Sequence, residues 1–192
     1  NFKIEYIPPN GFELENHIFI DKSEIANISW KEYLFWLGKI FGKDSNEYLE
    51  AYPDTTVWQD EIYQDSFLIN NYYSSFKFDD FPVVGVTQEQ AMKFSKWRSD
   101  RVFEMLLIES GVIPILEQNS ENYFTEERFF AGEVFDRKPQ NGMYLVPKFT
   151  LPSVSDIELI NSTIIEKNNS YIEKFRSKIN KKCDKPTFEH IC

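Results

Sequence analysis

An α+β fold is predicted by three features of the chain: a short apolar stretch running straight into a capped helix, a second helix with an aromatic stripe, and a loosely alternating first 26 residues. The central stretch is 79–101, DDFPVVGVTQEQAMKFSKWRSDR. Phe81, Val83, Val84 and Val86 form a β-branched and aromatic run that predicts a strand. Pro82 stands at its mouth, where a missing N–H costs little, and Gly85 marks a point where another group can approach closely. The Thr87 hydroxyl is placed to accept from the Gln90 N–H while the Gln90 side chain reaches back, a capping box that opens a helix. Ala91, Phe94, Ser95, Arg98 and Val102 then share one face, with Trp97 beside them, and Gly111 is the predicted end.

In chain order, Phe2, Ile4 and Tyr6, a turn at Pro8-Pro9-Asn10-Gly11 and the run Ile18, Phe19, Ile20 predict two short strands. Asp21 and Glu24 are either cation ligands or turn formers at a strand exit. Ser29 and Glu32 form a second capping box, ahead of Trp30, Tyr33, Leu34, Leu37 and Phe41 on one core-facing stripe and Gly42 as the stop. Residues 43–80 carry few periodic signals and predict a long packed loop region. Within it Trp58, Tyr63, Tyr72 and Tyr73 read either as a surface on which a sugar stacks or as half-buried loop anchors with bonded hydroxyls.

From Ser110 to Lys148 the chain reads as an insertion, with an apolar piece at Val112–Leu116, polar sequence after it and a turn-rich DRKPQNG. Pro152 and a capping Ser153 or Ser155 then predict a helix start. Ile157, Ile160, Ile164, Tyr171, Phe175 and Ile179 continue it as one long amphipathic helix, or as two broken near Asn168-Asn169.

Eighteen Phe, ten Tyr and four Trp among 192 residues imply a core of large rings in a single domain spanning 1–192. The net charge of −10 argues against a nucleic-acid or anionic-membrane partner for the body of the protein. Seven Lys/Arg against three acids between Glu166 and Lys185 make a local +4, which leaves −14 elsewhere. This basic tail, with Lys174 and Lys178, is either a docking element or a solvated helix face. No run of 18 apolar residues is present to span a membrane. Asn1 in place of Met fits a removed signal or a trimmed chain, and a lipid anchor upstream of Asn1 stays open. Cys183 and Cys192 are either bridged across a short loop or free thiols. Asn27, Asn161 and Asn168 head N-x-S/T sequons, which are common by chance.

The residues Phe81, Pro82, Val83, Val84, Val86, Thr87, Ala91, Phe94 and Trp97 resemble the signature of the formylglycine-generating-enzyme-like (sulfatase-modifying-factor) family, with Ser95 where members often carry cysteine. IFIDKSEIAN resembles the opening strand of that family through Asp21, Glu24, Ile25 and Asn27, with Ala26 in place of the usual Thr. Leu151, Pro152, Ser153 and Glu158 fit a degenerate form of its Leu-Pro-Thr-Glu-Ala-Glu-Trp-Glu helix start, with Thr150 for the preceding Arg and Ile157 for the Trp. PDTTVW from Pro53 to Trp58, and FDD before the strand, are similar to the gliding-motility and type IX secretion lipoproteins of the family. The resemblance implies a C-type-lectin-like α+β domain, family-like over 1–158, followed by a basic helical tail over 159–192.

The family's redox cysteine pair and calcium site come from the half that follows the Leu-Pro-Thr-Glu-like helix, and only 34 residues follow Glu158 here. A related branch holds non-haem iron with three histidines, whereas this chain has His17 and His190 alone. No catalytic residue, metal or cofactor is therefore expected. Three functions follow as expectations. The first is a non-catalytic scaffolding component of an envelope assembly in the periplasm or outer membrane of a Gram-negative bacterium. The second is a glycan- or peptide-binding module with Trp58, Tyr63, Tyr72 and Tyr73 as its platform. The third is an oxidase fragment completed by a further C-terminal half.

Overall fold

The structure, a computed structural model, describes residues 7–8, 10–15, 18–59, 66–134 and 144–163. The chain divides into two compact units, Asn1–Ser23 with Pro152–Cys192, and Glu24–Leu151.

In the first unit, β1 (Gly11–Glu15) pairs antiparallel with β2 (Ile18–Asp21), Gly11 lying opposite Asp21 and Glu13 opposite Phe19. The expected strand at Ile18 is present, but its partner is 11–15, while 2–6 lies outside the described residues. Asn10 sets this pairing: it takes a positive φ of 60°, which asparagine tolerates better than most residues, and delivers the chain into β1. The backbone is helical over 154–163, and Ser153 is its cap. The Asp156 N–H donates to Ser153 Oγ at 3.2 Å and the Ser153 N–H donates to Asp156 Oδ2 at 2.8 Å. The Ser153 hydroxyl, and then its N–H, hold the Asp156 carboxyl below its usual range. Ile164, Tyr171, Phe175 and Ile179 lie outside the described residues.

The second unit is helical: α1 (Asn27–Ile40), α2 (Asn46–Ala51), α3 (Ser66–Asn71), α4 (Gln88–Glu109) and α5 (Glu126–Ala131), with 3-10 turns at Thr55–Trp58 and Phe76–Phe78. Mixed helix and a small sheet thus stand, with two strands among the described residues. The expected strand over Phe81–Val86 is instead an extended segment with one antiparallel bridge, Ala26 to Pro82. Pro82 removes a ladder donor, and Gly85 breaks the extended path with φ +74°. That φ lets the Gly85 carbonyl accept from the Asp54 N–H at 2.7 Å, so close that a Cβ would stand 2.0 Å from Asp54 O. The close approach read at Gly85 is therefore made by Asp54, which joins the PDTTVW and FPVVGV stretches.

The capping box expected at Ser29 and Glu32 does not start α1. The helix begins at Asn27 without a side-chain cap, because Phe81 O accepts from the Asn27 N–H at 2.8 Å and Asp79 O from the Ile28 N–H at 2.9 Å. Carbonyls distant in sequence satisfy donors that a local side chain would otherwise serve. Asn27 itself is fully buried and donates from Nδ2 to Phe78 O at 2.9 Å, so the sequon it heads is closed to modification in the folded chain. The box at Thr87 and Gln90 forms as read, and Gly111, with φ +71°, follows the end of α4.

The region 43–80 is not a long loop. Ser45, Asp54 and Ser75 each accept an N–H two or three residues on and open a short helical turn. Six residues are too few to show periodicity, so such helices are visible only through their caps. Two apolar clusters form the core. The first gathers Trp30, Tyr33, Leu34 and Leu37 of α1 with Ala51, Tyr73 and Phe94, and the second gathers Phe103, Leu107, Ile113, Phe124, Phe129 and Val134.

Candidate functional site

Of the sequence-derived candidates, Tyr63, Lys174 and Lys178 lie outside the described residues. The structure brings Trp58, Tyr72 and Tyr73 together. The Trp58 ring lies 4.9 Å from Tyr72, Tyr72 Oη donates to Pro82 O at 2.7 Å, and a cavity of only about 10 Å³ lies among these residues. Tyr72 and Tyr73 are each 8% exposed, so neither ring offers a face to a sugar. Burial also raises the Tyr72 phenol above its usual range. Tyr72, buried with its hydroxyl bonded, fits the loop-anchor alternative, whereas Tyr73 is buried with no hydrogen-bond partner for its hydroxyl among the described residues.

A larger space opens on the other side of Tyr73. It is a groove of about 270 Å³ bounded by Lys31 and Phe35 of α1, Lys43 beyond its end, Tyr48 of α2, Tyr52 and Tyr73. Helical geometry places Lys31 and Phe35 one turn apart on the same side of α1. Tyr52 bridges the rings of Tyr48 at 6.2 Å and Tyr73 at 5.6 Å, giving a continuous aromatic wall. Phe35 is 73% exposed. The Lys31 ammonium sits 5.6 Å from the Tyr73 ring centre and pairs with Asp79. Lys43 has no ion-pair partner among the described residues. Tyr73 Oη is buried without a hydrogen-bond partner, and desolvation, reinforced by the neighbouring Tyr52 and Tyr48 phenols, pushes its pKa well up.

This groove was not visible as a site in the sequence. Its one signal was Phe35, an aromatic residue off the buried stripe of α1, and a single exposed ring is too common to mark a site.

A third cluster is buried and charged. Arg101 donates to Glu104 at 2.7 Å, to Gln118 Oε1 at 3.1 Å and to the Phe124 carbonyl, and its guanidinium lies 4.7 Å from the Trp36 ring. Asp100 accepts from the Glu126 N–H at 2.8 Å and so holds the start of α5. Burial raises both the Asp100 and Glu104 carboxyls and lowers the Arg101 guanidinium, which nevertheless stays charged. Perturbed buried carboxyls often mark active sites. Here Glu104 accepts from Arg101 and from Gln118 Nε2 at 3.0 Å, and Asp100 accepts from the Glu126 N–H, which is the arrangement of a structural brace.

Asp21 and Glu24 lie at and just beyond the end of β2, and among the described residues no group of three His, Cys, Asp or Glu is placed to hold a metal ion. No helix among the described residues is long and apolar enough to cross a membrane. No protein family, curated protein or solved structure matches the chain.

Proposed function

We infer that this chain is a non-catalytic scaffolding component of a protein assembly in a bacterial cell envelope, in the periplasm or at the outer membrane, with other proteins of the complex as its partners. The observation that supports this reading is a surface of aromatic rings on the Glu24–Leu151 unit. Phe76 is 79% exposed and Phe67 and Phe81 are more than half exposed, while the Phe78 ring stands 6.3 Å from Phe67 and 5.5 Å from Phe81. Exposed rings such as these, with Phe67 and Phe81 joined through Phe78, are of the kind that proteins cover on association. The resemblance to gliding-motility and type IX secretion lipoproteins supplies the cellular setting, and Lys174 and Lys178 are candidates for a second contact.

The test is affinity capture of the tagged chain from solubilised envelope membranes, with mass spectrometry of what comes with it. Near-stoichiometric recovery of envelope components, lost in a Phe76→Ser/Phe81→Ser variant, is the expected result. Recovery of the chain alone and monomeric would overturn the reading. Lys174→Glu/Lys178→Glu separates a contribution of the basic segment from that of the rings.

A further inference from the structure

The groove between α1 and α2 is lined by cations on a chain that is acidic as a whole. The chain carries ten more negative than positive charges, yet the groove is bounded by two lysines and no carboxylate. Asp79 offsets Lys31 from beside the groove, while Lys43, also lining it, makes no ion pair among the described residues. Between the two lysines lie an exposed Phe35 and the Tyr48–Tyr52–Tyr73 wall. Such a surface attracts a negatively charged group by Coulomb interaction and holds an apolar side chain by ring contact.

The volume and shape narrow the occupant. About 270 Å³ lies just below the range of sites that enclose whole small molecules, which bury most of the ligand's surface. With Phe35 73% exposed, this groove covers one side of a guest and leaves the other open, as a surface that receives a chain segment does.

We propose that the groove receives an acidic segment of a protein partner, one apolar or aromatic side chain lying between Phe35 and Tyr52 with a flanking carboxylate at Lys43. This rests on the scaffolding reading and names the chemistry of the partner.

The probe is the peptide acetyl-Glu-Asp-Phe-Asp-Glu-amide, titrated into the isotope-labelled full chain and followed by NMR, with the uncharged analogue acetyl-Gln-Asn-Phe-Asn-Gln-amide as its match. The acidic peptide is expected to shift resonances of Phe35, Tyr52 and Lys43, to bind about tenfold more tightly than the analogue and to weaken with added salt. Lys43→Gln and Phe35→Ala, both at exposed positions that leave the fold intact, are each expected to weaken it severalfold. The proposal is overturned if no shift appears up to about 5 mM peptide, if the uncharged analogue binds equally well, or if the shifts map away from the groove. Envelope capture separates the two inferences. Partner recovery that Lys43→Gln leaves unchanged would overturn the groove assignment alone, whereas specific peptide binding without any captured partner would sink the scaffolding reading alone.

Discussion

The two apolar clusters of the Glu24–Leu151 unit are built on opposite principles. The α1 cluster is packed mainly around rings: Trp30 stacks on Phe94 at 5.0 Å, Tyr33 meets both Phe94 and Trp97, and Trp30 Nε1 donates to Ala51 O at 3.0 Å. Burial of Tyr33 in this cluster pushes its phenol up to about 12. The second cluster also has rings, with Phe103 5.8 Å from Phe124 and 5.6 Å from Phe129, but a buried charged network closes its edge. Arg101 belongs to both, stacking on Trp36 beside the first and bonding the Phe124 carbonyl in the second. The difference teaches that α4 serves as a hydrophobic support at one end and as a polar brace at the other.

The comparison breaks most severely at Trp30, 1% exposed at the centre of the first cluster. Trp30→Ala removes the stack and the bond to Ala51 and is expected to cost about 4 kcal/mol in urea unfolding, with both clusters lost together. Arg101→Met, which leaves Glu104 buried without its cation, is expected to cost about 3 kcal/mol. Adding Glu104→Leu is expected to restore most of that loss, because the apolar pair no longer needs the brace. A double-mutant cycle showing no coupling would remove the charged network from the account of the second cluster. Gly85→Ala tests the first region at its margin. The added methyl collides with Asp54 O and the left-handed φ is strained, so a loss of about 3 kcal/mol is expected from thermal unfolding.

The smallest effect is a pH dependence. Burial raises Asp100, so the folded chain binds that proton more tightly than the unfolded chain does. The stability this contributes is complete below the unfolded carboxyl range and is lost as pH rises through the folded value. Asp100→Asn keeps an acceptor for the Glu126 N–H and removes the titration. Its stability relative to the unsubstituted chain is therefore expected to improve from pH 4 to pH 7, and an unchanged difference would show that the carboxyl is not desolvated in solution.

Legibility divided along the same line. The stripe Trp30, Tyr33, Leu34, Leu37 was readable because α1 is long enough to repeat and its core is apolar. On α4, Phe94 of the expected face is buried while Ala91, Ser95, Arg98 and Val102 are half-buried, and the buried residues also include Ser99, Asp100 and Glu104. A pattern search for apolar spacing skips charged residues, whose burial depends on Arg101 of the same helix and on Gln118 and the Glu126 N–H arriving from elsewhere. Phe124 and Phe129, fully inside, sit in a polar-looking stretch and were missed for the same reason. At the groove, Lys31, Phe35, Lys43 and Tyr52 come from three separate segments, and no local spacing joins them.

By itself the sequence determined the local devices: the Thr87–Gln90 box, a serine cap at Ser153 or Ser155, the stop at Gly111 and the aromatic stripe of α1. These depend on residues a few positions apart, whose geometry the backbone sets directly. Tertiary structure alone decided that distant carbonyls start α1 and that two lysines meet four rings in one groove. Those outcomes depend on which hydrogen-bonding groups and side chains the folded chain brings within reach, and no window of neighbouring residues contains that information.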